Sequence, residues 1–161
     1  MVTEAHAKPS AHHGGEGYVG VIYGDIGSTA FQFSVIGHVE RNEFVQAAHD
    51  TCGTVLARVE EVTRKTDLSL DKAQALGSGE PIEIEEKLAA SAVVIGYRDD
   101  RDLLQVPRTP FKAGESVARA EPALIEKVLG LRDDKHHGAY IGLLAGHDIR
   151  VYLDINGMVQ Y

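Results

Sequence analysis

Three residue classes in this chain of 161 residues are able to do chemistry: eight histidines, one cysteine and two carboxylate clusters. The histidines include the adjacent pairs His12-His13 and His136-His137. A tetrahedral metal site needs three or four converging ligands at fixed spacing, and neighbouring residues of a loop or strand point apart. No metal-ligand set follows from either pair. Cys52 would need a base and an electropositive setting to act as a nucleophile. Its neighbours are Asp50, Thr51 and Gly53, so it reads as a small turn residue. The carboxylates gather at Glu80, Glu83, Glu85 and Glu86, and again at Asp99, Asp100 and Asp102. Charge runs of this kind are the mark of a solvated face.

The phosphate-cradling pattern GxxxxGK[ST] is absent. The glycine-containing stretches GDIGST (24–29), GSGE (77–80) and GLLAG (142–146) carry no lysine placed to reach a phosphate, and they read as turns. No HExxH, CxxC or nucleophile elbow occurs. Sequence therefore assigns no catalytic, cofactor-binding or metal residue, and leaves the partner interface open.

The elements that would position any site are mostly strands. Tyr18–Tyr23 is a compact apolar run. In FQFSVI (31–36), Phe31, Phe33 and Val35 alternate with Gln32 and Ser34. NEFVQAAH (42–49) is a third strand. GTVLARVEEVTRK (53–65) is a fourth, with Val55, Ala57 and Val59 set against Leu56, Arg58 and Glu60. One helical turn is expected after Ser69, ended by Gly77 and Gly79. AASAVVIGYR (89–98) returns to strand, with the alternation running back through PIEIEEK (81–87). RDLLQVPRTPFKAGESV (101–117) reads as an edge strand running into a loop, because Pro107 and Pro110 cannot donate to a central ladder. A helix follows in AEPALIEKVLGL, with Pro122 in its first turn, an apolar stripe of Leu124, Ile125, Val128 and Leu129, and a cap at Gly130-Leu131. AYIGLLAG (139–146), a turn at His147-Asp148 and IRVYLDI (149–155) make a closing hairpin. Asn156-Gly157 adds a second hairpin signal.

Short strands at turn-punctuated spacing specify a mainly β fold with a small antiparallel β-barrel, followed by one helix and a short β extension. The expected organisation is a disordered arm over 1–16, a barrel over 17–106, and a helix plus hairpin linker over 107–161. No internal repeat is visible. Nothing approaches the run of roughly 18 apolar residues that spans a bilayer, and the first residues lack a signal-peptide core. A single cysteine fits a reducing cytoplasm. A net charge of −8 and 6% aromatic residues, with no Trp, argue against a domain that grips phosphates or stacks single-stranded bases.

In order and content, GYVGVIYGDIGSTAFQFSV, FVQA with GTVLARVEEV, AVVIGYRDDRDLLQVPRTPFKAGESV, EPALIEKVLGL, AYIGLLAG and IRVYLDINGMVQY resemble the N-terminal HAS barrel of HerA-type DNA translocases. The likeness covers about residues 17 to 161. It implies a non-catalytic domain at the head of a hexameric ATP-driven translocase. In that family the stretch like VYLDINGMV leads into the ATP-binding core, so ATP and Mg are expected only in a core lying beyond these residues. The implied partners are neighbouring subunits of a homo-hexamer and a NurA-type nuclease, in DNA end resection and recombinational repair. DNA contact is expected mainly from the core, and no membrane contact is expected. The competing reading is an independent small β-barrel module that binds single-stranded nucleic acid or a peptide.

Overall fold

The computed structural model describes residues 17–131 and 138–154. Nine strands and two helices run in the order β1 (Tyr18–Ile26), β2 (Ala30–Val35), β3 (Phe44–His49), β4 (Gly53–Thr66), α1 (Leu70–Gly77), β5 (Glu86–Arg98), β6 (Leu104–Gln105), β7 (Ser116–Arg119), α2 (Pro122–Leu129), β8 (Gly138–Leu143) and β9 (Arg150–Asp154). Six of them close a ring in the order β2-β1-β7-β3-β4-β5, with β5 pairing back onto β2. Every pairing is antiparallel. The expected mainly β fold with a small antiparallel barrel is what the chain adopts.

The interior follows from period two. Phe31 and Phe33 point inward from β2 and are buried, while Gln32 between them is exposed. Val45 and Ala47 of β3, and Val55, Ala57 and Val59 of β4, meet them. Ala57, Ala90 and Ala92 are small because a six-stranded ring has little room, and the phenylalanines take what there is. Phe111, from the loop before β7, closes the interior with its ring 4.9 Å from that of Phe31. Gly20 lets β1 lie tight against β2, since a Cβ there would sit on the Ser34 carbonyl oxygen.

A second core lies outside the barrel wall. Phe44 and Leu56 face outward from β3 and β4 and are covered by Ile125 and Val128 of α2, with Ala120 and Ile149 completing the cluster. Burying two aliphatic side chains of this size supplies roughly 1.5–3 kcal/mol each, the main force holding α2 on the wall. Its ends are built as its sequence specifies. Pro122 opens the helix, and Gly130 takes the left-handed conformation (φ 67°), so that its N–H and that of Leu131 both reach the Glu126 carbonyl. Arg98 donates to the carbonyls of Lys127 and Val128 in the last turn of the helix, and to that of Asp102.

Three expectations are corrected by the fold, and one is met with a change at its end. The barrel does not end at residue 106, because β7 is its sixth stave, paired to both β1 and β3. The edge strand expected in 101–117 is present as β6, which among the described residues pairs only with β5 and runs into a loop through both prolines; Ser116 and Val117 at the end of the segment belong instead to β7. The alternation of PIEIEEK is mostly not strand: β5 starts at Glu86, since β4 ends at Thr66 and offers 81–85 no ladder. The closing hairpin turns at Ala145-Gly146, where Gly146 supplies a φ of 79°, rather than at His147-Asp148. The arm over 1–16, His136-His137 and Asn156-Gly157 lie outside the described residues.

Candidate functional site

The densest set of chemically able side chains sits at one mouth of the barrel. There the β3–β4 turn, the end of β5 and the loop before β7 surround an open depression of about 450 Å³ lined by Thr51, Cys52, Tyr97, Asp99, Arg108 and Thr109, among others. Beside it His49 is buried at the end of β3. Its Nε2 lies 2.9 Å from the Thr109 carbonyl oxygen, which only accepts, so Nε2 carries the proton. The Thr51 amide donates to Nδ1 at 3.3 Å, so Nδ1 holds the lone pair. Both nitrogens thus help tie the β3–β4 turn to the loop before β7. The imidazole also meets Phe111 edge-on at 4.9 Å, which holds the phenyl plug in place. Asp50 Oδ1 stands 3.2 Å from Nδ1, and Lys112 Nζ is 3.5 Å from the other oxygen. His49 was not singled out from sequence, although the inward positions 45 and 47 point to 49 by simple alternation.

Cys52 is half-buried in the turn. Its Sγ is 3.5 Å from the Thr51 hydroxyl, and its hydrogen bond to Tyr97 is the leading cause that pushes the Tyr97 phenol up from its ordinary range. The residue lies in the turn between β3 and β4, where its sequence neighbours place it. Asp99 is held below the usual carboxylate range, first by the Leu103 amide, and accepts also from Arg101 and Gln105. It is the pin of the β5–β6 turn. Among the described residues no group of three or more His, Cys, Asp or Glu is arranged to hold a metal.

The glycine stretches fall where turns are needed. GDIGST ends β1 and turns into β2, where the Gly27 amide donates to the Ala30 carbonyl. GSGE closes α1, and GLLAG runs from β8 into the hairpin turn.

Two surfaces stand apart from this locked interior. The β8–β9 ribbon carries exposed Tyr140, Ile141, Leu143 and Leu153, and its Tyr140 and Tyr152 rings face one another across the strands at 5.8 Å. The other is the excursion between β4 and β5. There Asp67 accepts from Lys72 at 2.6 Å and from the Glu85 amide at 2.8 Å, so its carboxyl lies below the usual range, with Lys72 the leading cause. Among the described residues no helix is long and apolar enough to cross a membrane. No protein-family model matches this chain, and no curated protein matches it.

Proposed function

We propose that this chain is a non-catalytic barrel domain that serves subunit assembly and partner docking, as the N-terminal barrel of a HerA-type hexameric DNA translocase. In this reading the barrel belongs to a collar over an ATPase ring and offers a surface to a NurA-type nuclease that acts with it in DNA end resection and recombinational repair. One observation carries the reading: a closed barrel filled by its own side chains is followed, in order, by a helix fixed to its outer wall and a ribbon that leaves that wall with apolar side chains uncovered. Exposed Tyr140, Ile141 and Leu143 are costly for a ribbon that works alone and expected for one that packs against a neighbour. Nucleotide chemistry belongs to the core, so the chain itself is expected to bind no Mg-ATP.

The test has two arms. The reading frame downstream of Tyr161 is expected to continue into a GxxxxGK[ST] motif, and the full-length product is expected to form a hexamer that retains a NurA-type nuclease on a column. A stop codon directly after Tyr161, or micromolar Mg-ATP binding by this chain in calorimetry, overturns the proposal.

A second reading, an independent module for single-stranded nucleic acid, is favoured by one feature: Tyr140, Tyr152 and Arg150 line one cleft on the ribbon. Paired rings and a guanidinium are the parts of a base-stacking platform. Oligonucleotide binding that weakens steeply with salt and is lost in Tyr140→Ala supports it over the first reading.

A further inference from the structure

We propose that the arm between β4 and β5 is a docking surface for a basic amphipathic helix of a partner protein. The arm consists of the turn at Asp67, α1 and the returning segment to Glu86. Helix α1 has no buried residue. Leu70, Ala73 and Leu76 descend one flank at three-residue spacing, with Leu70 74% and Leu76 43% exposed, and Ile84 of the returning segment is 37% exposed. An eight-residue helix is too short to persist by propensity alone. Here polar contacts hold it instead of packing: Ser69 caps its first turn, Lys72 pairs with Asp67, and Asp67 accepts from the Glu85 amide to close the neck. The arm therefore keeps its shape while its apolar side chains stay open.

Charge selects the occupant. From residue 67 to 86 there are six carboxylates against one ammonium, a net −5 out of −8 for the whole chain. Asp67 is engaged by Lys72 and Glu86 by Arg64, which leaves Asp71, Glu80, Glu83 and Glu85 without a cation among the described residues. Four uncompensated carboxylates on the arm that bears the exposed leucines repel a second acidic copy of this chain, nucleic acid and anionic lipid. They attract a segment with Lys or Arg on one face and aliphatic residues on the other. This inference does not depend on the translocase reading, and holds equally for a barrel that acts alone.

The probe is a labelled Lys/Leu peptide of roughly 18 residues, about five helical turns with all leucines on one face. It is titrated with the full chain in fluorescence anisotropy, beside a scrambled peptide of identical composition. Binding near 10 μM is expected at low salt, at least tenfold weaker for the scrambled peptide. The Leu70→Asp/Leu76→Asp variant alters only exposed positions, so its circular dichroism is expected to match wild type, and its affinity is expected to fall at least tenfold. A Glu80→Gln/Glu83→Gln/Glu85→Gln variant is expected to lose much of the salt dependence of binding. Equal binding of the scrambled peptide, wild-type affinity in the leucine variant, or no binding at about 100 μM overturns the proposal.

Discussion

Replacing Leu56 by Ala tests whether the wall between β3 and β4 is buried on both faces. Leu56 is fully buried, yet it faces away from the barrel interior and lies in the cluster with Ile125 and Val128. Truncation removes three carbons from a packed site and leaves a cavity that α2 fills only in part, so the expected loss is about 3 kcal/mol, within the usual Leu→Ala range. For a chain of this size that lowers the melting temperature by about 6–12 °C. Urea unfolding followed by far-UV circular dichroism gives the free energy, and calorimetry gives the melting point. Arg58→Ala provides the control: its side chain is exposed two positions along the same outer face, and its cost should stay within about 0.5 kcal/mol. Combining Leu56→Ala with Ile125→Ala should give a coupling of at least about 0.5 kcal/mol, because both side chains line one cluster. A Leu56→Ala cost below about 1 kcal/mol, or strict additivity with Ile125→Ala, would show that α2 does not cover this wall and would refute the two-core account.

Three more outcomes follow from named contacts. Gly20→Ala places a methyl on the Ser34 carbonyl and should cost at least about 3 kcal/mol, or prevent barrel closure, as read by soluble yield and amide dispersion; a near-neutral result would mean β1 and β2 are not closely apposed. Arg98→Ala strips donors from the Lys127 and Val128 carbonyls and should cost about 2 kcal/mol in urea unfolding, with Arg98→Lys recovering little because one ammonium does not reproduce the fork. The Asp67 carboxyl is depressed in the folded state, so its contribution is complete above the unfolded value of about 3.9 and disappears as pH falls through the folded value. Exchange protection of the Glu85 amide should therefore drop in acid in the wild type and show no such step in Asp67→Asn; identical profiles for the two proteins would contradict the role given to this carboxylate.

The strands were legible because alternation and burial coincide. Phe31 and Phe33 against Gln32 needed no tertiary knowledge, and Pro122, Gly130 and the stripe of Ile125 and Val128 marked α2 from end to end. What escaped depends on partners distant in the chain. The three consecutive apolar residues Val55, Leu56 and Ala57 fit either face of a strand, and only α2, more than sixty residues on, makes both faces interior. Ser116–Arg119 is too short to announce itself after two prolines, and its role comes from the gap left between β1 and β3. PIEIEEK alternates as well as many strands do, but alternation describes a face, and a strand needs a neighbour to bond. Of the two exposed surfaces, the acidic composition of 80–86 could be read directly, whereas the exposure of Leu70 and the face shared by Tyr140 and Tyr152 required coordinates.

The late position of β7 governs how the protein comes into being. On a ribosome β1 emerges first and finds β2 within a few residues, but its opposite edge has no mate until Ser116–Arg119 has been synthesised, and one edge of β3 waits for the same four residues. Until then the nascent chain presents two strand edges with unbonded amides, the surfaces on which chains join one another wrongly. Any product that ends at residue 106 keeps both edges open for good. One strand of four residues, the last stave to be made, converts an adhesive open sheet into a closed ring.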